Sequence, residues 1–457
     1  MTKTSLRDRL NDVTTVLTPD QIGALDPVID PANTQGALAV APRTIDEIVA
    51  VFSLCNDTRT PVIPHGGRTS LAGAVAASGD EVMILGSNMP RVLDIDPLSQ
   101  TAHISANTTL AEAESAARAH GLTTGIDLAA RDTATIGGMV STNAGGMEAH
   151  RNGTMRNRVL GLEAVLPNGT ILSDLAHVRK CNEGYDVKQL LIGAEGTLGL
   201  VTSVILQLLP EPPAPHTFLL ALPDAAAALA VLQTLHRTQG IDVLRAEAMW
   251  NAFATKNAEL QTTNPLMTLP NAPLYVIYEL HVPTGTAEEV VFAALEPHFE
   301  TQNVLDAIAA QSMQQANDIW MIREDTMSMG TVYPHSEWFD ISVPLAHLDS
   351  FVKLVETRIA ALNAGLMIHV LGHLGDGNLH YSIAHTDPIP DDLKAQIKPA
   401  VMDGLKDIGG SFSAEHGIGT EKREALQKYG DTGKLHLMTM IKQMIDPYTI
   451  CNPGKVL

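Results

Sequence analysis

Three glycine-rich loops constrain this chain more than any other feature. The first, Pro64-His65-Gly66-Gly67-Arg68-Thr69-Ser70-Leu71-Ala72-Gly73, follows the short apolar run Val62-Ile63. The second pairs Thr135-Ile136-Gly137-Gly138 with Asn143-Ala144-Gly145-Gly146, and the third is Gly193-Ala194-Glu195-Gly196-Thr197-Leu198-Gly199. Consecutive glycines let backbone N–H groups converge on one concavity, which suits an anion such as phosphate. The first loop lacks the Gly-Lys-Ser/Thr of a nucleotide P-loop and does not follow the G-x-G-x-x-G dinucleotide pattern. A lone Gly-Gly pair is most often a tight turn. Three such loops in one half of the chain, each beside Thr, Ser or Asn, favour a large phosphate-bearing cofactor lying along several of them.

The elements around these loops follow local rules. Thr44 with Glu47 and Thr109 with Glu112 have the capping-box spacing, so helices are predicted to start after each threonine, and Gly121 is placed to end the second. Val62-Ile63, Val82 to Leu85, Val92-Leu93, Ala102 to Ile104 and Leu200 to Leu209 read as strands. The run Pro210-Glu211-Pro212-Pro213-Ala214-Pro215 is stiff and cannot join a sheet interior, so it marks a domain boundary. Beyond it come a strand at Phe218–Leu222, a helix from Asp224 to Gly240, a strand from Leu274 to Val282 and a helix from Thr286 to His298. That pattern suits an α+β domain with an antiparallel sheet. We expect a cofactor domain over 1–212, a substrate and metal-binding domain over 213–419, and a helical segment, 420–457, that returns to the first domain.

The 457 residues, with 45% hydrophobic content, are ample for two such domains. The formal charge of −21 disfavours nucleic acid and anionic lipid as partners. It also means that an anionic ligand needs local positive charge. Cys55, Cys181 and Cys451 are far apart and form no disulfide framework, which fits a reducing compartment. The stretch Met1 to Leu17 carries no apolar core of a signal peptide, and Ala225–Leu235 is too short to span a bilayer. The expected location is cytoplasmic. Dimerisation is open.

A second informative region is His369-Val370-Leu371-Gly372-His373-Leu374-Gly375-Asp376-Gly377-Asn378-Leu379-His380. In a strand–turn–strand, His373 and His380 come back beside each other. His369 stands four residues before His373, but the local composition argues against a helix, so His369 is read as structural. Ser413-Ala414-Glu415-His416-Gly417-Ile418-Gly419 adds a carboxylate and another imidazole. Imidazoles with a carboxylate are a natural divalent-metal set that leaves positions open for a substrate oxygen.

Together these motifs carry a resemblance. The glycine loops, in this order and spacing, resemble the FAD domain of vanillyl-alcohol oxidase type flavoproteins. His373, the Gly-Asp-Gly-Asn-Leu-His380 run and Glu415-His416-Gly417 resemble the FAD-dependent D-2-hydroxy acid dehydrogenases, which include the D-2-hydroxyglutarate and D-lactate enzymes. The likeness runs from about Thr44 to the Asn-Pro-Gly-Lys end. It implies a two-part FAD-binding domain and an α+β substrate domain with an antiparallel sheet. It implies pyrophosphate contacts at Gly66, Gly67, Arg68, Thr69 and Ser70, and further FAD contacts at Pro64, His65, Thr135, Gly138, Asn143, Gly145, Glu195, Val201 and Asn452. Members with covalent flavin often carry histidine just after the Gly-Gly pair. Arg68 stands there in this chain, so non-covalent FAD is expected. The resemblance further implies zinc at His373, His380 and Glu415, with His416 as the base that takes the hydroxyl proton while C2 gives hydride to flavin N5. The electron acceptor is left open among a flavoprotein, a quinone or a cytochrome.

The substrate pocket departs from the family. Arg323, in Ile319-Trp320-Met321-Ile322-Arg323-Glu324-Asp325, matches the arginine that grips the substrate carboxylate; the plainer reading is a surface arginine paired with Glu324 or Asp325. Trp338 stands where D-2-hydroxyglutarate enzymes carry a lysine, and Met327 where they carry a threonine. Losing a cation and a hydroxyl suits a substrate with one carboxylate and a small or apolar tail, such as D-lactate, a longer aliphatic D-2-hydroxy acid or D-mandelate. Trp338 as a core residue would carry no such message. Two alternatives stand beside this reading: a flavin oxidase of the same fold that uses oxygen, and a non-flavin metal-dependent hydrolase whose glycine loops are only turns.

Overall fold

The computed structural model describes residues 3–283, 287–362 and 365–457. Contacts divide it into two compact units: Met1–Gly146 with Asn152–Glu211 and Glu415–Leu457, and Met147–Arg151 with Pro212–Ala414.

Among the described residues, the first unit holds three sheets, of three, five and two strands. Leu38–Val40 (β1), Val62–His65 (β2) and Val82–Leu85 (β3) make a parallel sheet in the order β1-β3-β2. Leu93–Asp96 (β4) and Thr101–Ser105 (β5) begin an antiparallel one. Leu122–Thr123 (β6) stands outside it, and Val159–Val165 (β7), Ile171–Asp174 (β8) and Leu200–Gln207 (β9) complete the order β4-β5-β9-β7-β8. Leu209–Pro210 (β10) pairs with β6, so the expected strand to Leu209 is broken at Leu208. Both predicted helix starts are present. Thr109 and Glu112 cap the helix Leu110–Arg118 reciprocally. Thr44 Oγ1 accepts from Glu47 N at the head of Ile45–Thr58, while the Glu47 carboxylate turns to Arg43 N and Thr14.

The end of the chain belongs to this unit. Cys451 bridges Val62 in parallel fashion, and Asn452 N donates to Val62 O. The Asn452 side-chain amide donates to Ala74 O at 2.8 Å and to Glu195 O at 2.7 Å, so one residue fastens the first glycine loop to the third.

The second unit is built on a seven-stranded sheet in which every pairing is antiparallel. Its strands are His216–Leu222 (β11), Asp242–Trp250 (β12), Leu274–His281 (β13), Asp306–Ala309 (β14), His335–Ser342 (β15), Met367–His373 (β16) and Asn378–His385 (β17), in the order β14-β11-β13-β12-β16-β17-β15. β11 and β12, joined by the helix Ala225–Arg237, run parallel to each other with β13 between them, the arrangement of a split βαβ unit. β12 and β14 are findings beyond the sequence reading. Arg245 and Glu247 interrupt the apolar run that would have announced β12. The helix expected from Thr286 is seen over Ala287–Glu300, and Thr286 itself lies outside the described residues.

One face of this sheet meets the helix Ala225–Arg237, where the Tyr278 hydroxyl donates to Ala228 O. The opposite face carries Leu219, Ala221, Met249, Tyr275, Ile277 and Leu371. It packs on Phe253, Ala254 and Ala258 of the helix Asn251–Leu260, and on Ile319, Trp320 and Ile322 of Met313–Glu324. This second face positions the candidate site.

Candidate active site

Side chains that sit opposite each other in neighbouring strands share a face. In β12 and β16, Glu247 is the register partner of His373; in β16 and β17, Leu371 is that of His380; in β17 and β15, His380 is that of Asp340. Four strands therefore lay Glu247, His373, His380 and Asp340 in a row across the helix-covered face. The hairpin predicted from the two histidines is β16–β17, turning at Leu374–Gly377. Gly377 is required there: its φ is +75°, and a Cβ would collide with Val343 O.

The His373 and His380 rings meet edge to face, 5.4 Å between centroids. His373 Nδ1 lies 2.7 Å from Glu247 Oε1, and Arg323 Nε donates to Glu247 Oε2 at 2.9 Å. Burial alone would raise the Glu247 carboxyl, yet His373 and Arg323 outweigh it and hold it below the usual carboxylate range. Arg323 is thus buried, and the reading of a surface arginine paired with Glu324 or Asp325 is corrected. Asp325 instead accepts from Ser328 and Gln261.

Asp340 is buried. Asn378 Nδ2 donates to its Oδ1 at 3.0 Å and Ala414 N to its Oδ2 at 3.1 Å. The bond to Ala414 fixes the chain just before Glu415 and His416. Ligand atoms of Asp340, His380, Glu415 and His416 all lie within 4.8 Å of one another. Two imidazoles and two carboxylates this close fit a divalent cation chemically. His373 is outside this foursome but touches His380. Asp340 and Glu247 were not singled out by sequence. Asp340 lies two residues after Trp338, a position matched to the family, which was the available signal. Glu247 had only its charge in an apolar strand. His369 is on β16, as a strand reading requires. It is buried, packs against the Tyr333 ring at 4.8 Å between centroids, and is pushed down to about 4 by burial and Lys256. Trp338 is 47% exposed on the edge strand β15, which removes its reading as a core residue, and Met327 is exposed on the helix Thr326–Val332.

In the first unit, Gly66 and Gly67 lie directly on the segment Thr133–Thr135, where a Cβ at Gly67 would collide with Thr133 O. Pro64 and His65 close β2 just before them. His65 is buried with no partner for either ring nitrogen, and burial, Arg68 and Lys455 push it down to about 3. A neutral imidazole with both nitrogens free, beside a glycine cradle, fits a polar cofactor. Asn452 Oδ1 is a second buried atom without a partner. Arg68, Asn143, Glu195 and Asn452 all have left-handed backbones, with φ of 57°, 55°, 51° and 47°. Such strain concentrates at ligand sites.

Several of these side chains are engaged within the protein. Arg68 Nε donates to Asp26 O, and Ser70 Oγ accepts from Ala72 and Ala74 N–H groups. Thr135 caps the helix Ile136–Thr142 by accepting from Gly138 N, and Asn143 Oδ1 accepts from Thr154 and Arg156. Val201 is buried in β9, while Thr69 and Gly145 stand in their loops. Glu195 spends both carboxylate oxygens on a neighbouring loop: Ile418 N donates to Oε1 at 2.7 Å and Gly419 N to Oε2 at 2.8 Å. Burial raises its carboxyl in spite of these bonds. The carboxylate expected at the cofactor therefore holds the segment that follows His416.

Among the described residues no helix is long and apolar enough to cross a membrane. A family model described as the FAD binding domain matches residues 36–174, and one described as the C-terminal domain of FAD linked oxidases matches residues 211–456. The D-2-hydroxyglutarate dehydrogenase of Xanthomonas citri pv. viticola is 34% identical over 433 residues, covering 93% of this chain and 90% of that one. The mitochondrial D-2-hydroxyglutarate dehydrogenase of Arabidopsis thaliana is 33% identical over 430 residues, covering 92% and 75%. Among solved structures, p-cresol methylhydroxylase with substrate bound superposes with a TM-score of 0.75 at 15% identity, covering 99% of this chain and 96% of that one. The 4-ethylphenol oxidase of Gulosibacter chungangensis, in its isoeugenol complex, does so with a TM-score of 0.75 at 16% identity and the same coverage. The glycine loops are therefore more than turns, and the hydrolase alternative falls. The chain is an FAD-dependent oxidoreductase with the fold of the vanillyl-alcohol oxidase type flavoproteins, and it belongs to the D-2-hydroxy acid dehydrogenase family that includes the D-2-hydroxyglutarate dehydrogenases.

Proposed function

We propose that this enzyme oxidises a D-2-hydroxy acid to the 2-oxo acid in a metal-dependent reaction, with His373, His380 and Glu415 holding the cation and His416 acting as the base. The observation that supports a cation here is the gathering of ligand atoms from Asp340, His380, Glu415 and His416 within 4.8 Å; His373, whose ring meets that of His380, joins them on family resemblance. This donor set suits zinc, manganese, iron or cobalt, and zinc is the choice on family resemblance. A divalent cation, when bound, stabilises the charge that develops on a hydroxyl oxygen as it loses its proton. His416, next to Glu415, takes that proton on its ring, the common task of an imidazole near neutral pH. Arg323 commits Nε to Glu247 and keeps its two terminal nitrogens for the substrate carboxylate, a fork that matches a carboxylate bidentately. FAD, when bound, supplies the two-electron acceptor for the hydrogen at C2. We take it as non-covalent, since the residue after the glycine pair is Arg68.

The substrate we propose has one carboxylate and a small or apolar tail. Relatives named D-2-hydroxyglutarate dehydrogenase point to a dicarboxylate, but Trp338 and Met327 replace the lysine and threonine expected around it, and neither is buried in the core. The free thiols of Cys55, Cys181 and Cys451 support a reducing, cytoplasmic setting. A panel of D-lactate, D-mandelate and D-2-hydroxyglutarate, assayed with a dye acceptor, tests the assignment. The expected result is a higher kcat/KM for a monocarboxylate. A clear preference for D-2-hydroxyglutarate would overturn the tail assignment, and turnover of none of the three would overturn the reaction class.

A further inference from the structure

Glu247 belongs to none of the motifs above, yet it joins two of the groups that the proposed reaction uses. It is fully buried, and its two oxygens go to different partners: Oε1 to His373 Nδ1 at 2.7 Å, Oε2 to Arg323 Nε at 2.9 Å. We infer that Glu247 is a positioning residue that sets the metal-ligand histidine and the substrate-carboxylate arginine together. The inference rests on the functional reading of His373 and Arg323 given above.

Donors and acceptors decide the arrangement. An ionised carboxylate only accepts, so His373 must present N–H at Nδ1, which makes Nε2 the lone-pair nitrogen of its ring. A carboxylate partner on the far ring nitrogen is a common device for fixing the tautomer and orientation of a metal-binding histidine. Arg323 likewise reaches Glu247 through Nε alone, so its two terminal nitrogens stay available for the substrate. The arginine is itself held in place. Asn257 Nδ2 donates to Ile322 O at 2.6 Å, fastening the end of the Met313–Glu324 helix to Asn251–Leu260. Because one carboxylate serves both partners, displacing it disturbs metal binding and substrate binding at once. A glutamine cannot replace it, since one of its two polar atoms is a donor facing a donor.

The test uses the FAD-loaded enzyme with Glu247→Gln and, as a charge-retaining companion, Glu247→Asp, which is too short to reach both partners. Zinc affinity is measured by competition with a chromophoric chelator, the metal environment by the visible spectrum of the cobalt-substituted enzyme, and KM with the best substrate of the panel. The expected result is a fall in metal affinity of about 10- to 100-fold, an altered cobalt spectrum, and a KM raised by about tenfold or more. FAD absorbance and a cooperative melt report folding. If Glu247→Gln does not fold, Glu247→Asp must show both losses. Wild-type metal affinity and KM in either folded variant would overturn the inference, and so would a loss of metal affinity with KM unchanged. A parallel His373→Ala variant tests the underlying reading separately: retention of the metal there would refute His373 as a ligand, whatever Glu247 does.

Discussion

The two units prepare for chemistry by opposite means. In the first, the glycine cradle is mostly backbone. Gly66 and Gly67 lie against Thr133–Thr135, and the side chains around them are largely engaged within the protein: Asn143 with Thr154 and Arg156, Glu195 with Ile418 and Gly419, Asn452 with Ala74 and Glu195. In the second, the backbone is an ordinary antiparallel sheet and the chemistry lies in side chains, with Glu247, His373, His380 and Asp340 set in a row by register. The lesson concerns charge. On the proposed reading, a protein at −21 hosts anions through fixed backbone dipoles in one unit and through Arg323 in the other.

Substitutions that act on one means and spare the other sharpen this contrast. The largest effect is expected from His416→Ala, which should cut turnover by about 10²- to 10⁴-fold while the FAD spectrum stays intact. Wild-type turnover would remove His416 from the mechanism. Next, a His373→Ala, His380→Ala double variant should lose the metal by elemental analysis and keep its FAD; full metal retention would mean that the ligands lie elsewhere. Gly67→Ala reverses the pattern. Its Cβ has no room against Thr133, so the protein should lose about 1–3 kcal/mol and bind FAD more weakly, with metal content unchanged. A loss of metal from this variant would break the contrast between the units.

The smallest effect at neutral pH concerns His65, which the fold holds at about 3 against an ordinary 6.5. The folded protein resists the proton that the unfolded chain accepts. This part of stability is therefore full above pH 6.5 and is lost as the pH falls from 6.5 toward 3, by about 1.4 kcal/mol per pH unit. In melts across that range, His65→Gln should be less acid-sensitive than the wild type, and parallel profiles would show that His65 is not held neutral.

The same contrast explains what could be read from the sequence. A backbone cradle is written locally, so the three glycine loops announced the cofactor. The hairpin of His373 and His380 was equally local, because seven residues and an Asp-Gly turn bring the two rings together. Glu247 is 126 residues from His373, and only the pairing of β12 with β16 makes them neighbours. Asp340 meets His380 by pairing across β15 and β17, which sequence spacing does not show. Glu195 sat in a recognisable loop, but its task depends on a segment 223 residues away. The Trp338 side chain could be told from a core residue only once β15 proved to be the sheet edge.

In the proposed reaction one bound divalent cation and His416 together prepare a D-2-hydroxy acid for oxidation by FAD. Its most direct test is turnover of the best 2-hydroxy acid with a dye acceptor, before and after chelation, with metal added back while FAD absorbance is followed. Chelation is expected to abolish turnover, a stoichiometric divalent metal to restore it, and FAD to stay bound throughout. Full activity in metal-free, FAD-loaded enzyme would contradict that reaction.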